Sequence, residues 1–330
     1  MNILYTLNDK FVPQVAAGIT SVCENNKDFE EIHFYLMSMG ISKNNKEILK
    51  KYIKKYDRKI TFIELDDLQK YFDFKFDTNG WNPIVLARLL LEKILPKTVD
   101  KVLYLDGDTI VRTNLKELWS TKLGKLSIAA SIEPTIDKKR KKSLKMDGYP
   151  YYNAGVLLID LKNWRKNKTG DKIIKFYQEH NGNLFANDQD AINGSLKGKI
   201  LTLSPKYNFY NIFYQYSYRF LGSLCDYEYI SKKVFADAVS NPSIIHYLGE
   251  ERPWRIGNKH KYRNDYIKYL NMTPWAGQNM EDGWKLYFVC WNIFNFVTKP
   301  FPHIRYHIIN SLIPVFMKYR SNKLKKNKEK

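Results

Sequence analysis

Short extended apolar runs alternate with longer segments whose apolar positions recur every three or four residues, and this pattern dominates the first hundred positions. Residues 3–6, 32–37 and 60–65 are extended runs. Between them Val15, Ile19 and Val22 recur at helical spacing up to Asn25-Asn26, and Ile48, Leu49, Tyr52 and Ile53 mark a Lys-rich amphipathic helix. The spacing of Leu86, Leu89 and Leu90 predicts a helix over 83–94, ahead of a fourth strand at 102–105. Such alternation predicts an α/β fold with a doubly wound, mainly parallel sheet flanked by helices. Ligands of open parallel sheets bind beyond the carboxyl ends of the strands. Thr6, Asn8 and Asp9 follow the first strand and Asp106 and Asp108 the fourth, so the two clusters can share one crevice.

Asp106-Gly107-Asp108 follows the fourth strand at once. Carboxylates at i and i+2 of an extended segment point the same way and can share one hard cation. The glycine between them lets the backbone turn and approach a ligand. Magnesium and manganese take few protein oxygens together with substrate phosphates, which such a pair supplies. The same tripeptide also reads as an ordinary turn after a buried strand. Further along, Asn153-Ala154-Gly155 opens the strongly apolar run 156–159, either as a strand-entry turn or as an amide placed for hydroxyls. Asn187-Asp188-Gln189-Asp190 reads as a helix start, with Asn187 or Asp188 as the cap. His246 ends a short strand and is followed by Gly249 and Arg252, as a phosphate-facing loop requires. Joined to Asp106 and Asp108, it would complete a carboxylate–imidazole metal site.

With 330 residues the chain can bury a sizeable core as one large domain with additions. Cys23, Cys225 and Cys290 are widely spaced, which suits neither a disulfide framework nor a zinc site and fits a reducing cytoplasm. The start lacks a basic n-region, so no secretory leader is expected. The net charge of +20 concentrates in 138–142 and in 318–330, where seven basic residues stand against one acid. Nucleic acid, anionic lipid or water can answer such clusters. No zinc finger, aromatic RNA-binding strand or helix-turn-helix accompanies them, so nucleic acid is not the expected partner.

Composition changes again near the end. Trp284, Tyr287, Phe288, Trp291 and Phe294 share one helical face, and Ile304, His307, Ile308, Leu312 and Val315 form a second stripe after Pro300 and Pro302. Neither run reaches the ~20 apolar residues that span a bilayer. Residues 271–330 therefore read as an interfacial extension for an anionic membrane surface, or else as helices packed on the main domain. Residues 1–270 form that domain, divided into 1–110 and 111–270.

Taken in order, the segments from Asn2 to Asp9, Ala87-Arg88-Leu89, Leu103 to Asp108, Asn153-Ala154-Gly155, Asp188-Gln189-Asp190, and His246-Tyr247-Leu248-Gly249 with Pro253-Trp254 carry a resemblance. They resemble the retaining family 8 glycosyltransferases of GT-A fold, the group of bacterial lipooligosaccharide galactosyltransferases and glycogenin, over about residues 1–255. The resemblance implies a UDP-hexose donor, galactose or glucose, and Mn²⁺ (Mg²⁺ as the alternative) held by Asp106, Asp108 and His246 against the diphosphate. Thr6, Asn8 and Asp9 would meet uracil and ribose, with Gly107 in the metal turn. Arg88 would reach the diphosphate or sugar, and Gly249 and Arg252 the departing phosphate. Asn153, Ala154, Gly155, Glu133, Asp188 and Gln189 would surround the donor sugar, with Gln189 nearest the anomeric carbon. Asn8 stands where an acid is usual, Lys10 where Asn is common, Glu133 where Asp is usual, and Arg252 for a frequent Lys.

Charge argues for the rest. An amide such as Gln189 is a poor nucleophile, which favours front-face displacement over a covalent step through Asp190, while the resemblance implies that Asp188 would be occupied with sugar hydroxyls. The implied acceptor is a hydroxyl of a cell-surface glycan, lipid-linked, lipooligosaccharide-like or on a glycoprotein. The work would then be done in the cytoplasm, peripherally on the inner face of the cell membrane. A non-catalytic nucleotide-sugar-binding protein and a basic nucleic-acid-binding protein are the alternatives.

Overall fold

The computed structural model describes residues 1–328, with side chains through Lys318. It opens with β1 (Asn2–Asn8), α1 (Val12–Asn25), β2 (His33–Met39), α2 (Lys43–Lys54) and β3 (Lys59–Glu64), where the periodicity puts them. β4 (Lys101–Leu105), β5 (Thr109–Val111), β6 (Ile128–Ile132), β7 (Tyr152–Asp160), β8 (Ile200–Leu203) and β9 (Ile244–His246) follow. Seven strands form one sheet in the order β3-β2-β1-β4-β7-β6-β8. β1, β2, β3 and β4 run parallel; β7 runs antiparallel to β4 and β6, and β8 is parallel to β6. The first eight residues of β7 are all buried, as befits a strand covered on both faces.

The reversal of β7 positions the site. An antiparallel neighbour brings its beginning, not its end, to the carboxyl edge of β4, and Leu105 pairs with Val156. Asn153, Ala154 and Gly155 thereby arrive beside Asp106. A second, two-stranded sheet adds β9 antiparallel to β5, with Thr109 opposite His246. Two apolar clusters fill the faces of the main sheet. A third is largely aromatic and joins Ala17 of α1 to Phe209, Tyr247, Trp254, Tyr266 and Tyr306.

Three expectations change. The single helix over 83–94 is a 3-10 helix, Pro83–Leu89, followed by one α-turn, Leu91–Ile94. Ile84, Leu86, Ala87, Arg88 and Leu89 are all buried, with Pro83 at the first position and Asn82 capping the Ile84 N–H. The basic block 138–142 is divided, with Lys138, Lys139 and Lys142 exposed and the other two engaged within the protein. In the helix Lys138–Ser143, Arg140 pairs with Asp190 and the buried Lys141 with Asp226.

The third concerns the C-terminal helices Lys285–Thr298 and Pro302–Lys328. Their aromatic stripe faces the protein, not outward. Phe288 is buried, and Tyr287, Trp291 and Phe294 stack on one another. The buried Arg305 sits over the Trp291 and Phe294 rings at 5.6 and 5.2 Å. A helix apolar nearly all round leaves its packed face undecided in sequence, and here the rings with stacking partners turn inward. The outward face carries Leu286, Phe296, Ile304, Leu312 and Val315, between 55 and 83% exposed. Among the described residues, no helix is long and apolar enough to cross a membrane. Of the basic tail 318–330, Glu329 and Lys330 and the side chains after Lys318 lie outside the described residues.

Candidate active site

Register and turn assemble three ligands. One ligand atom each of Asp106, Asp108 and His246 lies within 4.8 Å of the others. His246 Nε2 stands 3.3 Å from Asp108 Oδ1 and 3.7 Å from Asp106 Oδ2. Its other nitrogen, Nδ1, is 2.9 Å from Asn208 Oδ1. The Gly155 N–H donates to Asn153 Oδ1, and Asn208 Nδ2 donates to the same oxygen, each at 2.9 Å. That chain assigns the proton of His246 to Nδ1 and turns the Nε2 lone pair toward the two carboxylates. Burial lowers the His246 pKa, but Asp108 and Asp106 outweigh it and the net direction is up. Burial likewise pushes Asp108 up, and His246 and Arg252 bring it below its ordinary value. An imidazole with its lone pair aimed at paired carboxylates is a mixed nitrogen–oxygen donor set that fits Mn²⁺ or Mg²⁺. Gly155 makes room for the ring: a Cβ there would lie 2.2 Å from His246 Cε1.

Arg88 is buried, and its fork is already engaged. Nη2 donates to Asp106 Oδ1 and Nε pairs with Asp188 Oδ2, both at 3.0 Å, while Nη1 donates to Ala154 O at 2.6 Å. The guanidinium also lies over the Tyr104 ring, 4.2 Å from its centre. Thus Arg88 organises two carboxylates and also lines the cleft. Burial pushes the Asp188 pKa up to about 6, against the opposing Arg88 charge. The Tyr104 hydroxyl donates to Asp106 Oδ1 at 2.6 Å and meets Thr6 Oγ1 at 2.9 Å, tying the first strand to the fourth.

Beside the metal cluster, Gln189 is held on three sides. Its Oε1 accepts from the Ala154 N–H, and its Nε2 donates to Glu133 Oε2 and to the Tyr151 hydroxyl, at 2.9, 3.1 and 3.1 Å. Asn153 Nδ2 donates to the same Glu133 oxygen at 2.9 Å. Asp190 does not face this space. It is 1% exposed and accepts from Arg140, the Tyr151 hydroxyl and the Ala186 N–H. Its bond to Ala186 closes the start of the helix Asn187–Ser195, whose N-cap is Ala186. Neither Asn187 nor Asp188 caps it, and Asp188 is free for Arg88.

A cleft of about 530 Å³ opens over these groups, lined among others by Thr6, Asn8, Asp106, Asp188, Gln189 and Arg252. Asn8 Oδ1 is buried with no partner among the described residues, an acceptor free for a ligand. The Arg252 guanidinium lies 5.5 Å from the centres of both the Phe11 and Trp254 rings, and its Nε donates to Gly249 O. Asp9 is absent from the cleft wall. Its Oδ1 accepts from the Ser42 N–H and from Asn45 Nδ2, holding the start of α2. Sequence reasoning missed Asn208, Tyr104 and the Arg140–Tyr151 pair. Only Tyr104 carries a signal, since it precedes Asp106 by two on one strand and so shares its face.

Three comparisons converge on this architecture. The sequence profile of glycosyl transferase family 8 matches residues 2–256. General stress protein A of Bacillus subtilis is 26% identical over 279 residues, 83% of this chain and 94% of its own length. Lipopolysaccharide 1,2-glucosyltransferase of Escherichia coli K12 is 25% identical, over 86% of this chain and 81% of that protein. The crystal structure of galactosyltransferase LgtC with donor and acceptor sugar analogs superimposes with a TM-score of 0.71 at 26% identity, covering 83% of this chain and 96% of that one. With the profile spanning most of the chain and the GT-A fold shared, this protein belongs to glycosyltransferase family 8.

Proposed function

We propose that the chain transfers a hexose from a UDP-sugar to a hydroxyl of a cell-surface glycan, with retention at the anomeric carbon and with Mn²⁺ as the working metal. The convergence of Asp106, Asp108 and His246 beside the Glu133–Asn153–Gln189 group carries this reading. Bound there, a divalent cation supplies positive charge to the diphosphate as it departs. Arg252 adds a second charge at the mouth of the cleft, and removing one such preorganised partner costs ~10²–10³-fold in turnover. Gln189, Asn153 and Glu133 form the wall that orients the donor ring. Asp188 and Asp190 are committed to Arg88 and Arg140. Front-face displacement therefore fits better than a covalent step, with the leaving phosphate accepting the proton of the attacking hydroxyl. UDP-galactose is the first donor and UDP-glucose the second, since the relatives include both a galactosyl- and a glucosyltransferase.

The outward face of the C-terminal helices supports a location on the membrane. Phe296, Ile304, Leu312 and Val315 stand exposed beside a sequence-basic tail, the composition of a helix lying on an anionic membrane surface. An acceptor presented at the inner face of the cell membrane suits that placement. The test is release of UDP from a panel of UDP-sugars, with and without Mn²⁺. Metal-dependent release with one hexose donor is expected. No release from any of them, together with no UDP binding by calorimetry, overturns the reading.

A further inference from the structure

Residues 248–252 run from β9 along the rim of the donor cleft, which Gly249 and Arg252 line together with Asp108 and His246. The near end of this loop is tied to the metal cluster, where the Tyr247 N–H donates to Asp108 O at 2.9 Å. Arg252 is a long side chain on that rim, and what aims it is a pair of rings. Its guanidinium lies 5.5 Å from the centres of both Phe11 and Trp254, which meet edge to face at 5.7 Å. A charged group reaches a ligand with a fixed direction only where the side chains beneath it are themselves fixed.

Trp254 is fixed from outside the cleft, by Glu281. The buried indole donates from Nε1 to Glu281 Oε1 at 3.1 Å, and the buried Arg255 donates from Nε to Glu281 Oε2 at 2.9 Å. The Glu281 N–H donates to Trp254 O and its carbonyl accepts from the Ile256 N–H, each at 2.9 Å. Both backbone groups and both carboxylate oxygens of one residue are thus spent on residues 254–256. Arg255 carries the hold back into the loop: Nη1 donates to Glu250 O at 2.9 Å and pairs with the Glu250 carboxylate, while the guanidinium lies over the Trp284 ring, 3.5 Å from its centre. Glu281 and Trp284 lie beyond residue 256, where the family match ends, and neither lines the cleft. Satisfying a buried arginine needs one carboxylate oxygen; the second oxygen goes to the ring beneath Arg252.

Resting on the transferase reading, in which Arg252 meets the departing phosphate, we propose that Glu281 is a positioning residue for the donor site. By holding the Trp254 indole and Arg255, it keeps Arg252 directed at the place of the diphosphate. Diphosphate affinity then depends on a segment that touches no part of the donor and lies outside the part of the chain that matches the family.

The experiment is a double-mutant cycle on the full chain, read by calorimetric titration with UDP at saturating Mn²⁺. Arg252→Ala should weaken UDP binding about tenfold, as for a lost charged hydrogen bond, and Glu281→Ala about fivefold. In the Arg252→Ala background, Glu281→Ala should cost less than about twofold, because the side chain it directs is gone. Thermal melting reports the fold of each variant. Should Glu281→Ala fail to fold, Glu281→Gln runs through the same cycle, with a loss of about threefold expected while Arg252 is present. Equal losses with and without Arg252, or no loss at Glu281, make Glu281 a tie of the fold alone and leave the donor reading standing. If the wild-type chain does not bind UDP, the transferase reading falls and takes this proposal with it.

Discussion

The donor cleft and a second cavity of about 550 Å³ under the C-terminal helices share a wall and are built on opposite principles. In the cleft, charged side chains are engaged with one another: Arg88 joins Asp106 to Asp188, and Gln189 has three partners. In the cavity, the rings of Tyr210, Tyr216, Tyr287, Trp291 and Tyr306 line the walls, and the Tyr210 hydroxyl and Trp291 Nε1 stand unbonded among the described residues. A preorganised polar network costs little reorganisation when charge develops in the transition state, which suits the cleavage of a sugar–phosphate bond. An aromatic pocket with a few spare donors binds by area and shape, and changing one helix face retunes it. The contrast sets a preorganised polar site beside an aromatic one within one chain.

The largest effect should come from the network. Asp106→Asn and Asp108→Asn are each expected to lower turnover ~10²–10³-fold, the range for losing one preorganised charge partner. Asparagine keeps an acceptor oxygen at each position, so both variants should still fold, with the larger fall in melting temperature at Asp106, which pairs with the buried Arg88. Turnover measured at saturating Mn²⁺, beside a melt, checks this. A variant that keeps more than a tenth of wild-type turnover removes that carboxylate from the essential ligands.

Much of this network is legible along the chain, and the reasons are local. A strand that ends in Asp106-Gly107-Asp108 announces its position, because β4 is buried and its end must emerge at the sheet edge. His246 is legible for the same reason. Asn208 is not, since its task is fixed by contacts with His246 and Asn153, 38 and 55 residues away. Asp9 and Asp190 have the right residue type and neighbourhood, yet backbone direction sends one to α2 and the other to Arg140. Of the C-terminal helices, composition gave their existence, while the inward face was settled by Arg305 and the stacked rings.

The aromatic side should be the acid-sensitive one. His260 contacts the Tyr214 and Tyr247 rings edge-on and accepts from the Tyr262 N–H, and burial pushes its pKa down to about 4. A histidine depressed in the folded state contributes stability that is fully present above its ordinary value of 6.5. That stability drains away as pH falls toward 4, and over the whole window amounts to about 3 kcal/mol. Chemical denaturation between pH 7 and 4 should show the loss, and His260→Gln should flatten the slope. Superimposed profiles would mean that His260 is not buried neutral.

A smaller change tests how tightly the network is packed. Gly155→Ala sets a methyl carbon against the His246 ring, so the imidazole must move from Asp106 and Asp108. Metal-dependent UDP affinity should fall about 10–100-fold, as when a group that orients a metal ligand is lost. Affinity for UDP without metal should change much less. Calorimetric titrations with and without Mn²⁺ separate the two. Equal losses in both would point to general collapse of the cleft.

The smallest effect belongs to the outward face, opposite the cavity wall. Phe296 and Leu312 are 83 and 57% exposed and touch neither cavity. Replacing both with serine should weaken attachment to anionic vesicles about tenfold. That is less than full burial of both side chains would give, at ~1.5–3 kcal/mol each, because an interfacial helix sinks only part of each side chain. Raising the salt should weaken attachment further through the basic residues, since screening shortens to about 3 Å at 1 M. The two contributions are thus separable in one flotation series: the serine pair removes the salt-independent part, and salt removes the rest. Wild-type protein that ignores anionic vesicles at low salt would assign this apolar face to a protein partner.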